Sequence, residues 1–129
     1  MKRAEQFPQI SDAEFCVMQA LWKLGKATAG ELVEEVSRTR AWNPKTIRTL
    51  LNRLVSKGAA NAQKTDAKAY LYYPVIAQDD YVAHESHHFL DKLYQGSLGL
   101  MLSHFVSETP LSSEEIAELK AILEEADHE

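Results

Sequence analysis

The feature that most constrains this chain is a repeated helix-start signal. Ser11-Asp-Ala-Glu14, Thr28-Ala-Gly-Glu31 and Ser112-Ser-Glu-Glu115 each set a hydroxyl residue three positions before a glutamate, just ahead of an apolar run. In that spacing the hydroxyl accepts from one orphan backbone N–H of the first helical turn and the carboxylate accepts from another, so each signal fixes where a helix begins. A fourth start has different chemistry. Asn43 can cap, and Pro44 follows at the first helical position, where its missing N–H costs nothing. Three helices are thereby compelled into the first 58 residues, too short a span for most architectures.

The apolar spacing agrees with these starts. Phe15, Val17, Met18, Leu21, Trp22 and Leu24 recur at helical intervals and Gly25 offers a stop, which predicts a helix over 12–24. Leu32, Val33 and Val36 predict a short second helix ending near Ser37. In the third, Ile47, Leu50, Leu51, Leu54 and Val55 form one stripe, Lys45, Thr46, Arg48, Thr49, Asn52, Arg53 and Ser56 fall on the opposite side, and Lys57-Gly58 closes the helix. Beyond Gly58 the helical period disappears. The run 59–64, a polar turn over 65–68 and Tyr70-Leu-Tyr-Tyr73 before Pro74 predict a β-hairpin, with a register left open because the turn has no Asn-Gly or Asp-Gly pair.

From Asp79 onward three more helices are expected, to about Gln95, through Leu100–Val106, and from Ser112 through Leu123. These C-terminal helices are too few and short to enclose their own apolar faces, which points to pairing with a second copy. The fold class is therefore mainly α with a small β-hairpin. Residues 1–75 form a winged helix-turn-helix and 76–129 a helical dimerisation region.

Charge divides the chain in the same place. Residues 1–75 hold 12 basic and 7 acidic side chains, counting Lys2, Arg3 and Glu5, whereas 76–129 hold 2 basic and 12 acidic ones, counting Glu129. Between 37 and 68 stand eight basic residues and one acid, Asp66. A concentrated basic stretch in an acidic chain suits a polyanion, because neutralising phosphates releases counterions. A solvated basic face without a partner is the alternative.

Helix, helix, helix, hairpin is the order in which a third helix enters the DNA major groove while a wing lies on the flanking backbone. Arg48 and Arg53 can fork onto guanine acceptors or phosphates, Asn52 can pair an adenine edge, and Thr46 and Thr49 carry a hydroxyl and a methyl that fits thymine. Arg48 and Thr49 lead this set for base readout. Lys45 lies near a helix N-terminus, where a phosphate is expected to meet free backbone N–H groups as well. Lys64 and Lys68 flank the hairpin turn as wing-tip phosphate contacts would. Double-stranded DNA is thus the expected partner, and a protein-interaction module whose basic face binds an acidic protein is the rival.

Other residues fall to packing. Trp22, Trp42, Phe15 and the hairpin tyrosines are expected in the core, Cys16 as a small buried hydrophobe, and Met18 and Met101 as gap fillers. His84, His87 and His88 have spacing that can set two imidazoles on one helical face, which keeps a metal-responsive reading as an alternative. They lack a nearby thiolate and a defined second set of partners, so no metal and no cofactor is expected. A single Cys forms neither an intramolecular disulfide nor a multi-thiolate site. With no nucleophile elbow, Gly-rich phosphate loop or paired acids, no enzyme is expected. Leu98–Val106, the longest mainly apolar stretch, is about half of the roughly 20 residues that cross a bilayer, and MKRAEQFPQI has no signal-peptide core. No membrane insertion and a cytoplasmic location are expected.

Ile10-Ser-Asp-Ala-Glu-Phe15, Leu21-Trp22, Pro44-Lys-Thr-Ile-Arg-Thr-Leu-Leu-Asn-Arg-Leu54, Lys57-Gly58 and Phe89-Leu-Asp-Lys-Leu-Tyr94 together resemble the penicillinase repressor family (BlaI/MecI/CopY). The resemblance implies a homodimeric winged-helix repressor whose two recognition helices meet a two-fold operator with TACA and TGTA half-sites. It also implies that such a repressor controls its own gene, a neighbouring membrane sensor-protease, which is also a candidate partner, and an antibiotic-resistance gene. The expected dimerisation set is Phe89, Leu90, Leu93, Tyr94, Leu98, Met101, Leu102, Phe105, Ile116, Leu119 and Leu123. Two departures stand out. The tail 121–129 lacks the Cys-x-Cys motifs of the copper-responsive branch, and the Asn-Phe bond cut in the β-lactam-responsive branch is replaced by His104-Phe105.

Overall fold

Among the described residues the helices with capping signals begin where those signals place them, the fourth helix begins one residue before Asp79, and the fifth begins at Leu98, two residues before the expected Leu100, because Ser97 caps it. The structure, a computed structural model, describes residues 7–127, so Lys2, Arg3, Glu5 and Glu129 of the charge count lie outside the described residues. The helices are α1 (Asp12–Leu24), α2 (Ala29–Ser37), α3 (Pro44–Ser56), α4 (Gln78–Tyr94), α5 (Leu98–Glu108) and α6 (Ser113–Asp127), with strands β1 (Ala60–Lys64) and β2 (Tyr70–Pro74) between α3 and α4. Capping boxes close at Ser11/Glu14 and Thr28/Glu31, and the same reciprocal pair joins Ser112 and Glu115.

Two compact units, Met1–Glu85 and Ser86–Glu129, make up the chain. The first therefore takes in the beginning of α4, ten residues past the division at 75/76 expected from sequence. The reason is packing. Trp22 Nε1 donates to the Ile76 carbonyl at 2.9 Å, and Tyr81 is buried with its ring about 6 Å from those of Phe7, Phe15 and Trp22.

The core of this first unit is formed by one face of each of its first three helices. Val17, Met18 and Leu21 of α1, Leu32 and Val36 of α2, and Ile47, Leu50, Leu51 and Leu54 of α3 enclose one another, with Ala59 and Ala60 beneath. Each fully buried Leu or Ile contributes about 1.5–3 kcal/mol, which makes this cluster the main driving force. Gly58, at φ +84°, turns the chain from α3 into β1 in a conformation that an L side chain resists.

β1 and β2 pair antiparallel, Ala60 opposite Pro74 and Lys64 opposite Tyr70. That settles the register: Asp66 and Ala67 lead to Lys68 at φ +64°, and a left-handed residue after the turn does what an Asn-Gly pair would have done. A single bridge, Ala27 with Tyr72, ties the hairpin to the α1–α2 connection through hydrogen bonds of 3.0 and 2.7 Å.

Candidate nucleic-acid interface

The burial of Ile47, Leu50, Leu51 and Leu54 decides what α3 shows to solvent. With a repeat of 3.6 residues, Lys45, Thr46, Arg48, Thr49, Asn52 and Arg53 must then lie on the opposite side, and all six are exposed. The predicted set is thus brought onto one helix face. Lys64 and Lys68 are exposed at the tip of the hairpin.

Charge on this face is uncompensated. Among the described residues, Lys45, Arg48, Arg53, Lys64 and Lys68 form no ion pair, whereas other basic residues of the first unit do. Lys23 and Arg38 both reach Glu35, at 2.8 and 3.9 Å, and the Lys23 hydrogen bond holds the Glu35 carboxyl below the usual carboxylate range. Lys57 meets the buried Glu14 at 2.6 Å. Two of the eight basic residues between 37 and 68 therefore serve the protein itself, a subdivision that no count of charges reveals.

One expectation fails at the start of α3. Pro44 has no N–H, the Lys45 N–H donates to Asn43 Oδ1 at 2.8 Å, and those of Thr46 and Ile47 donate to the Asn43 carbonyl at 2.9 and 3.2 Å. The cap that starts the helix so well also uses up its donors. The first turn of α3 therefore lacks the free backbone N–H groups anticipated from sequence. Thr49 is likewise partly committed, since its hydroxyl donates to the Lys45 carbonyl at 3.0 Å.

The orientation of α3 depends on contacts far apart in sequence. Beyond its C-terminus, Lys57 Nζ donates to Glu14 Oε1 and to the Gln9 carbonyl at 2.7 Å, pinning this end of the recognition helix to the start of α1. Burial pushes the Glu14 pKa up, but hydrogen bonds from Lys57 and the Ser11 N–H outweigh it and leave the carboxyl below its ordinary value. Sequence reasoning assigned Glu14 only to a capping box. Its second role has no local signal, because its partner lies 43 positions away.

Several packing expectations need correction. Trp22, Trp42 and Tyr72 pack against the core, but Tyr70 is 51% exposed because it sits at the distal end of the hairpin, beyond the reach of the helices. Cys16 is half-buried rather than enclosed. His84 lies against the Phe7 ring at 4.9 Å while His87 and His88 face solvent, and among the described residues no three His, Cys, Asp or Glu side chains gather as a metal site requires.

In Ser86–Glu129 none of the predicted dimerisation residues is buried. Phe89, Leu93, Leu98, Phe105, Ile116 and Leu123 are exposed, and Leu90, Tyr94, Met101, Leu102 and Leu119 are half-buried. His104 and Phe105 are exposed within α5, where the Ser107 hydroxyl also donates to the His104 carbonyl at 2.9 Å. Among the described residues no helix is long and apolar enough to cross a membrane.

A three-helix core, a two-stranded wing and a third helix with an unpaired basic face define the winged helix-turn-helix class of transcription regulators. Within that class the comparisons are specific: the family model described as penicillinase repressor matches residues 10–125. The chain belongs to the penicillinase repressor family, and it is not an enzyme. It is 45% identical to the penicillinase repressor of Bacillus licheniformis over 94% of each chain, and 39% identical to the methicillin resistance regulatory protein MecI of Mammaliicoccus sciuri over 89% of this chain and 93% of that one. The solution structure of the monomeric form of Bacillus licheniformis BlaI in complex with a half-operator is 46% identical, with a TM-score of 0.51 over 57% of this chain and 89% of that one.

Proposed function

We propose that the protein is a cytoplasmic, homodimeric repressor that binds a two-fold DNA operator through α3 and its wing. The observation that carries this reading is the α3 face: six exposed polar or basic side chains opposite a buried apolar stripe, with no acid paired to them. A relative solved on a half-operator supports it. Arg48 and Thr49 then read base edges with Asn52 beside them, Lys45, Thr46 and Arg53 complete the contact along the groove, and Lys64 and Lys68 hold backbone phosphates. The exposed apolar side chains of Ser86–Glu129, Leu93 and Phe105 among them, are covered by a second copy, which links two readers and adds avidity.

Release follows from the same arrangement. A membrane sensor-protease that cut at His104-Phe105 would sever the dimeriser and remove that avidity. The bond lies inside α5, so the helix must unwind locally before a protease can hold it extended.

The test is a footprint and salt-dependent titration on the DNA upstream of the protein's own coding sequence, against scrambled DNA of equal length. A protected two-fold site bound far more tightly than scrambled DNA is the expected result. Equal, purely salt-governed binding to both would overturn the reading in favour of a basic face for an acidic partner.

A further inference from the structure

We infer that Arg40, seated on the ring of Trp42, is a further DNA-phosphate contact at the entrance to α3. The inference rests on the reading of α3 as the DNA-facing helix and adds a residue outside the set Lys45 to Lys68. The Arg40 guanidinium carbon stands 5.6 Å from the centroid of the Trp42 ring. Trp42 packs against the core, so the ring is a fixed shelf rather than a second mobile side chain. The backbone beneath is fixed too, because the N–H groups of Thr39 and Arg40 both donate to the Val36 carbonyl, at 3.1 and 2.9 Å.

A guanidinium held against an aromatic ring by cation–π attraction forms no ion pair there, which leaves its N–H donors available to an oxyanion. Those donors are unspent: among the described residues no acid pairs with Arg40, although Arg38, two positions earlier, and Lys23 are both taken by Glu35. Inside the first turn of α3, three residues on, no backbone N–H is left over: Pro44 has none, and those of Lys45, Thr46 and Ile47 are all bound to Asn43. Directional donors for a phosphate at this end must therefore come from side chains. Arg40 is pre-aligned to supply them, and an anchored Arg loses less freedom on binding than an unsupported one.

The experiment titrates the full chain onto operator and scrambled duplexes over a salt series, comparing the wild type with Arg40→Ala, Arg40→Lys, Trp42→Phe and Arg48→Ala. Arg40→Ala should weaken both duplexes alike, about tenfold at roughly 0.1 M salt, and flatten the slope of log affinity against log salt by about 0.9 per bound copy. Arg40→Lys should keep the slope and lose part of the affinity, because a point charge replaces the fork. Trp42→Phe should weaken binding in the wild type and have no further effect in Arg40→Ala. An unchanged slope in Arg40→Ala beside a loss of operator preference in Arg48→Ala overturns the inference alone. A lower operator-to-scrambled ratio with an unchanged slope also overturns it, since that marks a loosened α3. If neither Arg40→Ala nor Arg48→Ala alters binding, the reading of α3 itself falls.

Discussion

Leu21, Leu32, Ile47 and Leu54 of the first unit are wholly enclosed, whereas Leu93, Leu98, Val106 and Leu123 of the second each leave about half of their surface in water. The helices of the second unit are no shorter as a group, and α5 and α6 start on serine caps as α1 does, so local propensity does not separate the units. What separates them is whether three apolar stripes find one another. In Met1–Glu85 they do, and the wing closes the gap, while among the described residues of Ser86–Glu129 no residue is buried. Under the dimer proposed above, this open apolar surface is what a second copy covers, which would remove the cost of its exposure.

The largest effect should come from charging the open face. Leu93→Glu places a carboxylate where the isolated chain can solvate it but a second copy would bury it. Sedimentation should then report a monomer, with operator affinity down by about 10²-fold or more. A wild type that is already monomeric, with unchanged affinity in the variant, would break the comparison.

Lys57→Met tests the closed unit. It strands the buried Glu14 carboxylate, and because Lys57 itself is 36% exposed the cost should be about 2 kcal/mol rather than the 3–5 kcal/mol of a fully buried pair. The loss should appear in thermal melts of the first unit at every protein concentration, in contrast to the second unit, whose melting should follow concentration. Arg48→Ala should cost about 1.5 kcal/mol on the operator and little on scrambled DNA, and leave thermal stability unchanged.

Acid should act on the closed unit as well. The folded pKa of Glu14 is depressed below 4.5, so the unfolded chain binds more protons there. Its contribution is present above that value and is lost as pH falls through the lower folded one. Glu14→Gln should flatten the acid limb of the stability curve. The smallest effect is expected at the wing tip: Lys68→Gly relieves the left-handed backbone and should stabilise the hairpin by about 0.5 kcal/mol, while DNA affinity falls through the missing charge. A loss of stability there would mean that the Lys68 side chain supports the turn.

Much of this protein is legible from its residues because the signals are local. The capping boxes at Ser11, Thr28 and Ser112, the Asn43-Pro44 start and the stripe from Ile47 to Val55 fixed the helices, and with them the face that carries Arg48, Asn52 and Arg53. Periodicity has only to be counted for that. The hairpin was visible, but its register was not, since Lys68 adopts a turn conformation that its side chain does not advertise.

Tertiary structure alone decided the rest, because each point joins residues distant in sequence or chooses among equivalent chemistries. It gave Lys57 to Glu14 and Arg38 to Glu35, leaving Arg40 over Trp42 unpaired. It showed that the donors at the start of α3 are already spent, and it drew the first unit past Ile76 to take in Tyr81. Sequence determines which groups are available, since helix starts and faces depend on neighbours within four positions. Which groups are free depends on three-dimensional distance, and that is fixed only when the helices pack.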